Sequence, residues 1–251
     1  MRFGFLVMVC AALASHCPAA AQPASGPAAS STNPPLREIS TGVFQLGDIR
    51  LDKPTRSLQF PAQLNMREGL IEYLLVNAKG KSYESLLRTE VEPYEVHLAM
   101  LLIGAKGAPQ TPALLAAPSV PFHVNQPPGQ TNAAAPLAAV AAGDRIRIEL
   151  SWNIAGKGEQ HARAEDWVFN LATKTNAARG PWIYNGSRVV KGVFLAQREG
   201  SIVAMIDDID ALVNNPRPGH DNDQIWSANT NVLPPLNTPV EVTFRLANPT
   251  Q

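Results

Sequence analysis

Lys81-Ser82-Tyr83-Glu84-Ser85, with His97 downstream, brings together the residue types a hydrolase uses. A carboxylate can orient an imidazole, and the imidazole can take a proton from a serine hydroxyl or a bound ligand. Glu84, Ser85 and His97 are therefore the candidate catalytic residues, and Lys81 beside them is a candidate ligand contact. A plainer role is favoured for the same residues. Glu84 and Ser85 can satisfy a strand end, and His97 can be a hydrogen-bonded core residue, as most buried polar groups are. No Gly-x-Ser-x-Gly elbow is present.

A second constellation lies towards the carboxyl end. Asp207, Asp208 and Asp210 are followed by Asn214, Asn215, His220, Asp221, Asn222 and Asp223. Hard cations take six to eight oxygen ligands, so these five aspartates are the candidate metal ligands and Ca²⁺ the candidate ion. The spacing departs from an EF-hand loop, since Asp208-Ile209-Asp210 lacks the third ligand and the glycine. Helix capping and turn formation by Asp, Asn, Pro and Gly explain the stretch more simply, and no cofactor is expected. A transition-metal site would need paired histidines at helical spacing, which His97, His123, His161 and His220 do not provide. Among the aromatics, Trp152 fits an alternating buried face. Trp182 and Tyr184 lie between Gly180-Pro181 and Asn185-Gly186, closer to a loop, and are the candidate ligand-binding residues.

Elements must hold these groups. Alternation marks strands at residues 49–52 and 57–60, and a denser apolar run over 69–78 reads as a central strand feeding a turn at Lys79-Gly80-Lys81. Pro93 opens a short helix that Gly104 stops, and its apolar residues occupy nearly every face, as in a buried helix. Residues 145–153 carry the clearest two-residue period. Further strands are expected at 162–171, 182–184, 192–197, 201–206 and 239–246, with Arg198-Glu199-Gly200 as a hairpin turn. Asp207 or Asp208 is expected to cap a short helix through Leu212-Val213 that Pro216 ends. Residues 107–143 contain no Asp, Glu, Lys or Arg and read as a long Ala/Pro-rich insertion. These features predict an α+β fold, a mainly antiparallel sheet with two short helices, one of them buried.

The amino terminus sets the compartment. Arg2, an apolar run over 3–13 and Ala19-Ala20-Ala21 form a secretory signal, with cleavage expected after Ala21. Residues 22–36, rich in Pro, Ala and Ser, read as a tether, and 37–251 as one domain bearing the insertion. Cys10 and Cys17 are the chain's only cysteines, so the mature protein is expected to hold neither disulfide nor thiolate metal site. His16 stands where a lipid-attachment signal has a small residue. Charge balances at 21 Lys+Arg against 21 Asp+Glu, which speaks against nucleic acid as a partner. No later segment reaches the roughly 20 apolar residues of a membrane span.

Several stretches resemble the YdjY-domain family, exported or membrane-linked bacterial proteins without a settled function. They include Phe60-Pro61-Ala62-Gln63-Leu64-Asn65-Met66, Gly69-Leu70-Ile71-Glu72-Tyr73-Leu74-Leu75-Val76, Gly80-Lys81-Ser82-Tyr83-Glu84-Ser85-Leu86-Leu87 and residues 93–104. The carboxyl half adds Glu165-Asp166-Trp167, Gly186-Ser187, Gly200-Ser201, Asp207 onward, Leu233-Pro234-Pro235 and Thr238-Pro239-Val240. The likeness spans residues 48–246. It implies no reaction, and the ferredoxin-like label on some relatives has no thiolates to rest on here. The family pattern often has His before the Glu-Ser pair, where this chain has Tyr83, so a metal or acid–base role there does not carry over. The expectation is an exported, periplasmic or secreted, non-catalytic domain that binds an envelope protein or small ligand. The alternative is an extracytoplasmic hydrolase or metal-dependent enzyme using Glu84, Ser85 and His97 or the 207–223 region.

Overall fold

The computed structural model describes residues 34–117 and 142–247. The expected signal segment, most of the expected tether and the middle of the expected insertion lie outside the described residues. The amino-terminal part holds β1 (Leu36–Ser40), β2 (Val43–Leu46), β3 (Ile49–Asp52), β4 (Ser57–Leu64), β5 (Tyr73–Asn77) and β6 (Ser85–Thr89). Helices α1 (Pro93–Leu102) and α2 (Pro112–Ala116) follow. After the insertion come β7 (Asp144–Ile154), β8 (Gly158–Arg163), β9 (Val168–Asn170), β10 (Thr175–Asn176), β11 (Trp182–Tyr184), β12 (Val189–Val190) and β13 (Val193–Phe194). The chain closes with α3 (Leu195–Glu199), β14 (Ser201–Ala204), β15 (Val213–Asn214), β16 (Trp226–Ala228) and β17 (Pro239–Leu246).

The expected α+β fold, a mainly antiparallel sheet with two short helices, gives way to a closed barrel. Eight strands run β4–β17–β7–β11–β15–β14–β5–β6, and β6 returns to β4 through Gln63↔Arg88 and Leu64↔Leu87. The fold is β-rich with helices subordinate, not α+β. Alternation in sequence reports that a strand has one buried face, and a closed barrel and an open sheet satisfy that pattern equally. Two pairings, β5–β6 and β14–β15, are parallel. The β1–β2–β3 meander extends the sheet from β4, and β8 extends it from β7.

The core follows from the alternation. Leu58, Phe60 and Leu64 of β4, Ile146, Ile148 and Leu150 of β7, and Val242 and Phe244 of β17 are all buried in one cluster. Phe60 and Phe244 meet edge to face at 5.3 Å. The strand β5 is buried along its whole length, because Tyr73 and Val76 pack with Ala204 and Ala211 in a second cluster. On α1 the buried residues Pro93, Val96, Ala99 and Met100 belong with the predicted buried helix. No described helix is long and apolar enough to cross a membrane.

Three local expectations fail. Residues 195–199 form α3, and Gly200 is its left-handed C-cap at φ 73°, not the tip of a hairpin. The helix expected after Asp207 is absent. Residues 205–212 return along the barrel so that β15 can pair parallel to β14, and Asp208 accepts from Asp210 N at 2.8 Å in a turn. The strand expected over 162–171 is interrupted by a 3₁₀ helix at Ala164–Trp167.

Candidate functional site

The parallel pairs bring the two sequence constellations together. Parallel neighbours need a crossover, commonly a dozen or more residues. Here residues 78–84 and 205–212 suffice because the strands are short. Lys81 on the first crossover donates from Nζ to Tyr73 Oη at 3.1 Å, and Tyr73 Oη donates to Asp208 Oδ2 on the second at 3.0 Å. Glu84 Oε1 lies 3.8 Å from Lys81 Nζ. Burial, then the charge of Asp208, holds the Tyr73 phenol far above its ordinary value, so it keeps its proton. Burial and the neighbouring Asp210 push the Asp208 carboxyl up, while the Tyr73 hydrogen bond pulls it back. Lys81, with Glu84 beside it, is thus joined to Asp208 through Tyr73, which carries no signal in the sequence beyond its place in an apolar run. The arrangement fastens two crossovers and leaves Tyr73 Oη engaged on both sides.

The other candidate catalytic groups face elsewhere. Ser85 is fully buried, and its Oγ donates to Lys81 O at 2.6 Å. His97 Nδ1 is 2.7 Å from Tyr184 Oη, and its ring packs 4.9 Å from Phe194. Burial lowers the His97 pKa, and burial with the charge of Asp144 raises that of Tyr184, so both groups are neutral. The recorded partners of Ser85 and His97 have no residue in common, so no serine–histidine relay is assembled.

The five aspartates also diverge. Asp207 Oδ1 is 2.7 Å from His220 Nδ1. Asp210 pairs with the buried Arg188 at 2.5 Å, which also donates to Leu114 O at 2.7 Å. Asp221 is exposed, and Asp223 accepts from Gln224 Nε2 at 3.0 Å. Among the described residues no group of three or more His, Cys, Asp or Glu is placed to hold a metal ion.

Trp182 departs from its expected loop-side place, while Trp152 packs against the core and 4.9 Å from Trp167, as its alternating face predicts. Trp182 is fully buried with the Arg217 guanidinium 4.6 Å over its ring, whereas Trp152 is only half-buried. The Arg217 Nη2 group donates to the fully buried Glu165 at 2.8 Å, and Arg163 reaches the same oxygen at 3.1 Å. This buried ion pair had no signal in the sequence, because the partners stand far apart in it.

A concave polar surface lies on the outside of β4, β17, β7 and β8. It encloses about 500 Å³ and is lined by Gln59, Glu149, Ser151, His161, Thr243 and Arg245, among others. Register explains the cluster. Gln59, Thr243, Glu149 and Arg163 form one cross-strand row, and Glu241, Ser151 and His161 form the next. These are the outward positions of strands whose alternate residues fill the barrel. Beyond β8, Arg179 clasps Asp166 with contacts of 2.8 and 2.9 Å. Charges of both signs therefore face solvent in one depression.

Comparison with curated proteins and with solved structures returns no match. The profile of the YdjY domain matches residues 49–245, from the start of β3 to near the end of β17. That span takes in the whole closed barrel, and the chain belongs to the YdjY domain family.

Proposed function

We propose that the protein is an exported binding domain without chemistry of its own, and that its ligand, an envelope protein or small molecule, seats in the polar depression across β4, β17, β7 and β8. The observation carrying this is a contrast in where polar groups are engaged. Ser85, Tyr73, His97 and Asp210 hold internal hydrogen bonds. In the depression, the side chains of His161 and Glu159 are 69% and 58% exposed. Such groups contribute partner selection and encounter rate more than raw affinity. Export is supported by Arg2, the apolar run over 3–13 and Ala19-Ala20-Ala21.

The test is a photoreactive amino acid at Ser151 in the full exported chain, with one at the exposed Tyr83 as control. Crosslinks to a partner from Ser151 and not from Tyr83 are expected. Crosslinks from Tyr83 alone would move the binding surface to the Lys81 crossover.

A hydrolytic second reading is supported by Asp207 and His220. A buried carboxylate on Nδ1 orients an imidazole as a general base requires. If His220→Ala abolishes turnover of any ester, amide or phosphoester that the wild type hydrolyses, this reading replaces the first.

A further inference from the structure

We propose that the ligand of the depression is an extended, basic peptide segment that adds to the open edge of β8 as a further strand. The proposal rests on the binding role given above and names the ligand's class and mode. Among the described residues β8 pairs only with β7, so its other edge has no strand. The direction of its backbone groups follows from one hydrogen bond. Arg163 N donates to Asp166 Oδ2 at 3.1 Å, so this amide points away from β7. In an antiparallel pair, alternate residues turn both N–H and C=O to the same side. The register of β7 with β8 runs unbroken from Glu149↔Arg163 to Ile154↔Gly158. Hence His161 and Glu159 also present their backbone groups to the open edge. Asp166 closes the edge at Arg163, which leaves room for an added strand of about five residues at 3.3–3.4 Å each.

Side chains on the same rows give the charge. Residues directly opposite in neighbouring strands project from the same face, and opposite charges there are favourable. A residue of the added strand opposite Glu159 or His161 therefore extends into the depression. Two of its carboxylates are already neutralised, Asp166 by Arg179 at 2.8 Å and Glu149 by Arg245 at 3.8 Å. Glu159 has only His161, at 3.8 Å, and Glu241 has no ion-pair partner among the described residues. Glu241 lies in the row that contains Ser151 and His161, and Glu159 lies in the row beside it. With Arg163 counted, the lining holds four carboxylates against three arginines, so the charge still to be matched is negative, and lysine or arginine opposite Glu159 on the incoming strand complements it. Strand addition of this kind draws affinity from main-chain hydrogen bonds and selectivity from alternate side chains.

The test uses the ¹⁵N-labelled full mature chain and three capped heptapeptides. One alternates Lys and Thr, one alternates Glu and Thr, and one is the Lys/Thr peptide N-methylated at alternate backbone positions. The Lys/Thr peptide is expected to shift the amide resonances of Glu159 and His161, and the other two to bind at least tenfold more weakly. His161→Pro removes one outward N–H at an edge where proline is tolerated, so it is expected to keep the wild-type melting temperature and lose at least tenfold in affinity. Glu159→Lys serves as the second variant and is expected to reverse the preference to the Glu/Thr peptide. Equal binding of the N-methylated peptide, shifts confined to other strands, or a chain dimer that His161→Pro dissolves would each overturn strand addition by a peptide. A Ser151 crosslink that survives such a result would preserve the binding role while removing this mode of it.

Discussion

Replacing Tyr73 with phenylalanine should loosen the two crossovers while leaving the apolar packing of the ring in place. The substitution removes the Oη donor to Asp208 at 3.0 Å and the acceptor of Lys81 Nζ at 3.1 Å. A hydrogen bond to a charged group contributes about 1.5–3 kcal/mol. Only the Asp208 bond counts in full, because the Lys81 side chain is 26% exposed and can rehydrate. The expected loss is about 2–3 kcal/mol, or roughly 4–12 °C in melting temperature at the 2–4 °C per kcal/mol of a domain this size. The sign with pH is fixed. Burial raises the folded pKa of Asp208 above 3.8, and the Tyr73 bond opposes that rise. Without the bond the folded pKa climbs further. A raised folded pKa penalises the native state above it, and the penalty vanishes below the unfolded value. The deficit of Tyr73→Phe should therefore be larger at pH 8 than at pH 4, the side towards which Asp208 is protonated. Urea unfolding at both pH values measures it, with Asp208→Asn and the double variant completing a cycle. A deficit under about 0.5 kcal/mol, or one equal at both pH values, would refute the crossover clasp.

Arg217→Met removes one of the two guanidinium partners of the fully buried Glu165, leaving Arg163 at 3.1 Å on the same oxygen, and should cost about 1–3 kcal/mol; the double variant Glu165→Gln/Arg217→Met should recover part of that loss in the same unfolding assay. Gly143 sits at φ +126°, and a Cβ there would lie 2.0 Å from Tyr184 O. Gly143→Ala should therefore destabilise by more than the roughly 1–3 kcal/mol of backbone strain alone, read as loss of soluble, cooperatively melting protein. Mass spectrometry of protein recovered from cells should find Gln22 as the first residue, following cleavage after Ala21. Retention of Met1 would contradict export.

Several strand positions and the first helix are legible in the sequence; the 195–199 helix, the turn after Asp207 and the assembly of the strands are not. The β7 and β17 alternation and the Pro93–Leu102 helix follow from periodicity and from a proline at the first helical position. Barrel closure depends on β4 pairing with both β17 and β6, and single-strand periodicity carries no information about the second partner. The same limit governed the site. Lys81 and Asp208 were identifiable by type, but Tyr73 joins them only because two short crossovers meet. Sequence order alone suggests Glu84, thirteen residues upstream, as the partner of His97. The barrel instead pairs it with Tyr184. Trp182 looked loop-proximal beside Gly180-Pro181, yet it is the first residue of β11 and is covered by Arg217. The polar depression was the least visible feature, since its residues are spread over four strands and look like ordinary solvated positions.

Hydrogen-exchange mass spectrometry of the mature chain, with and without envelope extract, tests the binding surface most directly. Binding in the depression predicts added protection in peptides covering residues 149–163 and 239–246, with residues 78–85 and 205–223 unchanged. Protection confined to 78–85 and 205–223 would contradict the account and place the functional surface at the crossovers.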